Sequence, residues 1–344
     1  MMKAVIFHEH GDVSVLQYED VETPKISADE VLVQVKACAL NHLDIFIRQG
    51  IPGIKIPLPH ISGSDVSGVV TEIGSVVRNV KVGERVLVAP GIACGTCPLC
   101  LDGRDNTCGQ YTLVGYLVDG GYAEYIKIPA RNAIPIPGKL DFNEAAAIPL
   151  VFLTAWHMLV RRAKIHRGDT VLIHSAGSGV GSAGIQVAKL FGARVITTAS
   201  NEKKLKKAKA LGADETINYV KEDFYARVKS LTGRRGVDIV FEHVGSATIE
   251  KSILSLAVNG RLVICGATTG YKANVDLRYI FAKQLTIYGS YMGGMGEMLE
   301  VLKFFPTGQL KPVVDKQFPL QDAAKAQLYM TERRQFGKII LNPE

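Results

Sequence analysis

The pattern of hydrophobic and polar positions changes character part-way along the chain. Up to about residue 145, short apolar runs rich in β-branched residues are separated by glycine and proline, as at 3–7, 30–37, 65–73 and 83–88. Runs of this kind are typical of β-strands that are bounded by turns. We therefore expect this part of the chain to form a β-rich, barrel-like domain.

After that point, helical and extended patterns alternate. The periodicity predicts helices at 143–162, 181–191 and 201–211, and short buried strands at 170–174, 194–198, 238–242 and 261–265. Strand–helix–strand alternation indicates a doubly wound parallel sheet. Beyond residue 290 the pattern shortens and ends in a strand at 337–341. The predicted fold class is therefore α/β, with a β-barrel domain and a doubly wound parallel sheet.

The segment 171–189 joins a predicted strand to a predicted helix through a glycine-rich turn. Gly179, Gly181 and Gly184 match the Gly-x-Gly-x-x-Gly pattern of dinucleotide-binding turns. Backbone N–H groups at such a helix N-terminus bind an anion, and the glycines let a pyrophosphate approach. A purely structural glycine turn is the alternative, but the strand before it and the helix after it favour a dinucleotide site.

In dinucleotide-binding domains, a residue at the end of the next strand contacts the 2′ position of the cofactor's ribose. An acidic residue there would hydrogen-bond a ribose 2′-hydroxyl and repel a 2′-phosphate. The chain has no carboxylate in this stretch before Glu202, whereas Ser200 and Lys204 are in positions to meet a phosphate. The sequence therefore favours NADP(H) over NAD(H).

Four cysteines form a tight cluster, Cys94, Cys97, Cys100 and Cys108. Four thiolates with no open coordination position are typical of structural zinc. An iron–sulfur cluster and a set of metal-free thiols are the alternatives, but the iron–sulfur pattern continues with a three-residue spacing before its last cysteine. We predict one structural Zn²⁺ per chain, held by a lobe at 91–110.

Composition narrows the choice of partners and compartment. The 344 residues are 47% hydrophobic and carry a net charge of +7, which serves either solubility or the attraction of an anionic ligand such as a phosphorylated cofactor or an acyl-CoA. The lysine-rich stretch 203–209 has helical spacing and fits a solvated helix face better than a nucleic-acid site. The apolar stretch 145–160 is shorter than the ~20 residues of a membrane span. We expect a cytoplasmic protein with a small-molecule substrate and neither nucleic-acid nor membrane partners.

With these motifs in place, the chain resembles the medium-chain dehydrogenase/reductase superfamily, the zinc alcohol dehydrogenases and their quinone oxidoreductase relatives. The glycine turn, the cysteine lobe and the closing segment 336–341 carry the resemblance. It implies a GroES-like catalytic domain over 1–151 and 292–344, and a Rossmann dinucleotide-binding domain over 152–291. It also implies a homodimer or homotetramer, joined through an edge strand at 284–290.

Matching the family's pattern places its three catalytic-zinc ligand positions on Asn41, Ser64 and Leu150. None of these side chains is a usual zinc ligand. The resemblance therefore implies an active site without metal, whose candidate catalytic residues are Asn41, Asp44 and Ser64. An improvised metal site is the alternative, built from nearby His42, His60, Asp44 and Asp65, although packing and hydrogen bonding explain these residues more simply.

Zinc-free members of the family reduce activated alkenes or quinones by hydride transfer, with hydrogen bonds stabilising the enolate. The resemblance thus implies an NAD(P)H-dependent reductase of quinones, α,β-unsaturated carbonyls or enoyl thioesters. An alcohol dehydrogenase or aldehyde reductase, and a nucleotide-binding protein with little turnover, are the alternatives. A tyrosine that quinone reductases often carry is replaced by Phe46, so the proton donor stays open among His42, Tyr291 and water.

The resemblance also implies a set of cofactor contacts at strand ends and in the glycine turn. The residues are Thr154, Ser178, Gly179, Val180, Gly181, Ser200, Lys204, Tyr219, His243, Val244, Cys265, Gly266, Ser290, Tyr291 and Lys338.

Overall fold

The computed structural model describes every residue, Met1–Glu344, and the chain forms two compact units. One unit comprises Met1–Leu150 and Gly294–Glu344, and the other comprises Val151–Gly293. None of the helices combines the length and the apolar character that crossing a membrane requires.

The strands before the glycine turn are β1 Met2–Ile6, β2 Gln17–Val21, β3 Glu30–Ala39, β4 Asp65–Ile73, β5 Arg85–Val88, β6 Gly91–Ile92, β7 Thr112–Leu113, β8 Tyr125–Pro129, β9 Ala133–Pro135 and β10 Thr170–Ile173. Those after it are β11 Arg194–Ala199, β12 Glu215–Asn218, β13 Val237–Glu242, β14 Leu256–Ile264, β15 Thr286–Gly289, β16 Val314–Pro319 and β17 Lys338–Asn342. The α-helices are α1 His42–Gln49, α2 Pro98–Leu101, α3 Phe142–Ala146, α4 Pro149–Trp156, α5 Gly179–Leu190, α6 Glu202–Ala210, α7 Phe224–Leu231, α8 Ile249–Ser255, α9 Leu277–Ala282, α10 Met295–Leu302 and α11 Ala323–Thr331.

The unit that contains both chain ends is built on a seven-stranded sheet. Its order is β16-β17-β3-β4-β5-β9, with β8 paired to β3, and all pairs except β16–β17 are antiparallel. Val31, Val33 and Val35 on β3 pack with Val66 and Val70 of β4 in one buried core. The expected β-rich domain is confirmed, because alternate residues of these strands bury their branched side chains on a common face.

The other unit is a six-stranded, wholly parallel sheet in the order β12-β11-β10-β13-β14-β15. Every residue of β10 is buried, as expected of a strand covered by helices on both faces. Strand order reverses between β10 and β13, and such sheets bind ligands outside the carboxyl ends of the strands at this point. The predicted α/β class with a doubly wound sheet is confirmed.

One predicted helix is interrupted. Instead of a single helix over 143–162, α3 ends at Ala146, α4 begins at Pro149, and a π-helical segment, His157–Arg162, follows. Proline has no backbone N–H and its ring clashes with the preceding turn, so it is tolerated at a helix start but not in a helix interior.

Candidate active site and cysteine cluster

Three buried polar side chains meet where β3, β4 and β17 lie side by side. Ala39 near the end of β3 is opposite both Asp65 of β4 and Ile340 of β17. This register brings together Asn41, Asp65 and Lys338, which are 7%, 0% and 3% exposed. The site therefore depends on strand pairing between distant parts of the sequence.

The three side chains form a closed set of hydrogen bonds. Lys338 Nζ donates to Asn41 Oδ1 at 2.6 Å and to Asp65 Oδ2 at 2.7 Å. Asn41 Nδ2 also donates to Asp65 Oδ2, at 3.0 Å. The other carboxylate oxygen, Asp65 Oδ1, accepts the backbone N–H of Leu150 at 2.7 Å. The Asp65 carboxylate is thus paired with a cation and hydrogen-bonded on both oxygens.

Asp44 lies next to this cluster, in the first turn of α1. Its Oδ2 accepts the backbone N–H of Asn41 at 2.7 Å and the hydroxyl of Tyr122 at 2.9 Å, whereas its Oδ1 has no partner. Burial raises the pKa of Asp44 to about 6, because these donors only partly offset the loss of solvation. Asp44 is therefore a group that changes charge just below neutral pH.

The four cysteine sulfurs gather as a metal site requires. All lie within 4.8 Å of one another, and three pairs are 3.5, 3.6 and 3.8 Å apart. A tetrahedral ion with Zn–S distances of ~2.3 Å would place its ligands about 3.8 Å apart. Hydrogen bonds from the backbone at Thr96 and Cys97 lower the pKa of the Cys94 thiol to about 6, which favours the thiolate that a metal binds. The cluster fits a single zinc ion.

The cysteine lobe is tied to α10 by Asp105. Both carboxylate oxygens of Asp105 accept the backbone N–H of Met295, each at 3.1 Å. A side chain at the neighbouring Gly294 would come within 2.6 Å of Asp105 Oδ1. A carboxylate at a helix N-terminus accepts hydrogen bonds from free N–H groups and interacts favourably with the helix dipole. The lobe therefore helps to position this helix.

The glycine turn lies at the carboxyl end of β10, where strand order reverses. Ser178 caps α5, with its Oγ accepting the N–H of Gly181 at 2.8 Å. A Cβ atom at Gly181 would lie 2.3 Å from the carbonyl oxygen of Ser175. No other residue fits this close approach, so Gly181 sets the course of the chain from strand into helix.

Comparison with known proteins identifies the fold and the chemistry. A model of the alcohol dehydrogenase GroES-like domain matches residues 27–138, and a zinc-binding dehydrogenase model matches residues 179–307. The chain is 34% identical over 329 residues to an alcohol dehydrogenase of Geobacillus stearothermophilus, covering 95% of this chain and 96% of that protein. This chain belongs to the zinc-binding dehydrogenase family.

Two further relatives show the range of the family. The human (Homo sapiens) quinone oxidoreductase is 30% identical over 339 residues, which cover 95% of this chain and 93% of that protein. The crystal structure of an NAD-dependent alcohol dehydrogenase superposes with a TM-score of 0.96 and 46% identity, covering 99% of each chain. The resemblance to the medium-chain dehydrogenase/reductase superfamily is confirmed, and the chain is an NAD(P)H-dependent oxidoreductase.

The three residues that the resemblance assigns to the family's catalytic-zinc positions lie around Asp65. Asn41 reaches Asp65 with its side chain, Leu150 reaches it with its backbone N–H, and Ser64 directly precedes it. The Ser64 hydroxyl is buried and has no hydrogen-bond partner. The structure therefore places Asn41, Ser64 and Leu150 around one buried carboxylate, Asp65.

No three of the residues considered for an improvised metal site bring ligand atoms close enough to share an ion. His60 lies 3.1 Å from the carbonyl of Gly115 through its Nε2 and packs edge-on against Phe7. His42 packs beside Phe46, with ring centroids 6.3 Å apart. The four cysteines are the one group of three or more His, Cys, Asp or Glu ligand atoms close enough to share an ion.

The predicted cofactor residues divide between the two units. Most lie in the parallel sheet's unit, in the glycine turn, in α4 or α6, or directly after a strand: Thr154, Ser178, Gly179, Val180, Gly181, Ser200, Lys204, Tyr219, His243, Val244, Cys265, Gly266, Ser290 and Tyr291. Lys338 lies in the other unit, where its ammonium binds Asn41 and Asp65. Sequence reasoning thus missed the partners of Lys338, and also Tyr122, for which no local motif exists.

Proposed function

We propose that this protein reduces quinones and α,β-unsaturated carbonyls, including enoyl thioesters, without a metal ion at the reacting carbonyl. The observation that carries the proposal is the Lys338 ammonium, which is hydrogen-bonded to Asn41 Oδ1 and Asp65 Oδ2, beside a residue that the resemblance assigns to a catalytic-zinc position. A bound nicotinamide dinucleotide supplies the hydride.

The donor set at this position suits an ammonium group better than a divalent metal. Asn41 and Ser64 offer neutral oxygens, and Leu150 offers no side-chain ligand. The carboxylate oxygens of Asp65 already accept three hydrogen bonds. Two unit charges of the same sign ~4 Å apart repel by about 4 kcal/mol near a protein surface, so Lys338 would oppose a metal ion here.

Reduction of an enone needs positive charge or donors at the carbonyl oxygen. Hydride adds to the β carbon, the carbon–carbon double bond becomes an enolate, and a proton then adds to the α carbon. Asn41 and Asp65 use two of the three N–H donors of Lys338. We assign the third donor and the free Ser64 hydroxyl to the developing oxyanion, and we assign Asn41 and Asp44 to holding this arrangement.

The cofactor is proposed to be NADP(H). Ser200 and Lys204 follow the end of β11. The carboxylate of Glu202, which lies between them in the sequence, accepts hydrogen bonds from Asn218 Nδ2 at 3.1 Å and Lys221 Nζ at 3.0 Å. A 2′-phosphate would therefore meet a hydroxyl and an ammonium. KM for NADPH well below KM for NADH is the expected result, with Ser200→Asp reversing the order; a wild-type preference for NADH would contradict the assignment.

Alcohol dehydrogenase activity is the second candidate, because the relatives of 34% and 46% identity carry that name. A panel of an enone, a quinone, an enoyl-CoA and an aldehyde, each with NADPH, separates the two. We expect turnover of the enone, quinone or thioester and one tightly bound zinc per chain, held by the cysteines. Turnover of the aldehyde alone, with two zinc ions per chain, would favour the dehydrogenase. NADPH binding without any turnover would indicate a binding protein instead.

We also propose that the chain forms homodimers or homotetramers through β15, the edge strand of the parallel sheet. Its Ile287 is 44% exposed, and Leu277 and Phe281 of the preceding α9 are also exposed. Unpaired edge strands with apolar side chains favour pairing with another chain. Light scattering should give the mass of a dimer or tetramer, and Ile287→Lys should lower it.

The cytoplasm is the proposed compartment. None of the six cysteines is in a disulfide, and proteins that keep closely spaced cysteines reduced are typical of reducing compartments. Fractionation of the source cells would test this assignment.

A further inference from the structure

A continuous chain of hydrogen bonds runs beneath the glycine turn, from β13 across β10 to β11. Ser252 Oγ lies 2.7 Å from Glu242 Oε2 and 2.9 Å from His174 Nε2. His174 Nδ1 lies 3.4 Å from Thr198 Oγ1, which accepts the backbone N–H of Ser175 at 3.1 Å. Glu242, His174, Thr198 and Ser252 are all buried, so water does not compete for these bonds.

The chemistry of the groups sets the direction of every bond. A carboxylate only accepts, so the single hydroxyl proton of Ser252 points to Glu242. Ser252 Oγ must then accept from His174 Nε2–H, which leaves His174 Nδ1 as the acceptor for the hydroxyl of Thr198. Thr198 Oγ1 is thereby turned so that its lone pairs face the N–H of Ser175.

Glu242 stays ionised and therefore acts only as an acceptor at one end of this series of hydrogen bonds. Burial opposes its charge, but hydrogen bonds from the Ser252 hydroxyl and from the N–H of Val244 help to keep the pKa of Glu242 below its ordinary value. Burial lowers the pKa of His174 to about 4, so the imidazole is neutral at physiological pH. The order of protons in the chain is therefore fixed over the working pH range.

The other end of the chain holds an unusual backbone conformation. Ser175 has a φ of +51°, a left-handed conformation that residues other than glycine adopt at a cost. Thr198 fixes it twice, because its carbonyl also accepts the N–H of Ala176 at 2.9 Å. The Ser175 carbonyl in turn accepts the N–H of Ser178, the cap of α5, at 2.8 Å.

We infer that Thr198, oriented through His174 and Ser252 by Glu242, is a positioning residue for the dinucleotide pyrophosphate. It holds Ser175 in the left-handed conformation and thereby places the N-terminus of α5, whose N–H groups would face the pyrophosphate. This inference rests on the proposed cofactor site.

Thr198→Val tests it, because valine keeps the shape and removes the hydroxyl. Thr197→Val is a matched control. Thr197 is the buried neighbour of Thr198 on the same strand, and its hydroxyl donates to the carbonyl of Ile173, so it takes no part in the hydrogen bonds that link Glu242 to Thr198. We expect Thr198→Val to raise Kd and KM for NADPH roughly threefold to tenfold. KM for the carbonyl substrate and kcat at saturating NADPH should stay unchanged, and Thr197→Val should leave Kd unchanged.

Two further variants separate positioning from a loss of packing. Thr198→Ser restores the hydroxyl and should recover wild-type Kd. Adding Ser175→Gly to Thr198→Val should also recover Kd to within about twofold, because glycine takes a positive φ without help. Equal Kd values for wild type, Thr198→Val and Thr197→Val would overturn this inference and leave the proposed function standing. Failure of the wild type to bind NADPH or NADH would overturn the proposed function together with it.

Discussion

Two buried carboxylates, one in each unit, are stabilised in opposite ways. Asp65, beside the proposed reaction site, is paired with the ammonium of Lys338 at 2.7 Å. Glu242, beneath the glycine turn, is surrounded by neutral donors: the N–H groups of Val244 and Gly245, and two hydroxyl groups. Both side chains are 0% exposed.

The difference matches what each region has to do. An ion pair keeps a full positive charge beside the position where an oxyanion is proposed to develop. Neutral donors instead transmit orientation, since each has one proton and one direction. Asp44 is a third case, with two donors on one oxygen and none on the other, and its pKa rises to about 6.

Replacing Lys338 should have the largest effect on the free energy of unfolding. Lys338→Met leaves the Asp65 charge buried without its counter-ion, so we expect a loss of about 3–5 kcal/mol in the free energy of unfolding. Urea denaturation measures it. Adding Asp65→Asn should recover part of the loss, and Lys3→Met, which breaks a surface ion pair with Asp20, should change little. Unaltered stability of Lys338→Met would show that the pair is not the compensating interaction.

The buried carboxylate of Asp44 has hydrogen-bond donors on one oxygen only, and this should make the free energy of unfolding depend on pH. Its folded-state pKa of about 6 exceeds the ordinary 3.8, so the folded state holds the proton more tightly. Wild-type stability relative to Asp44→Asn should therefore fall as pH rises from about 4 to 6, by on the order of 2–3 kcal/mol, and then level off. Parallel Tm profiles of the two proteins over this range would contradict the raised pKa.

Glu242→Gln should have the smallest of the three effects. No unpaired charge remains, but glutamine has a single acceptor oxygen and adds an NH₂ group that faces the Ser252 hydroxyl. We expect a loss of about 1–2 kcal/mol, measured by urea denaturation. Glu250→Gln, an exposed change on α8, is the matched control. A loss as large as that of Lys338→Met would remove the distinction between the two carboxylates.

Local patterns accounted for much of the molecule. The strand predicted at 65–73 is β4, and the glycine turn stands between β10 and α5 as expected. The four cysteine sulfurs meet within 4.8 Å, as their spacing indicated. These features depend on residues close together in the chain, where spacing alone restricts the geometry.

Contacts between distant residues were beyond sequence reasoning. Lys338 and Asn41 are 297 positions apart and Tyr122 and Asp44 are 78 apart, and no periodicity links either pair. The sequence by itself determined the alternation of strands and helices and the clustering of the four cysteines, and it predicts that Asn41, Ser64 and Leu150 replace the metal ligands of the family. Tertiary structure alone decided that an ammonium would lie against Asn41 and Asp65, because strand register, not local spacing, selects which buried charges become neighbours.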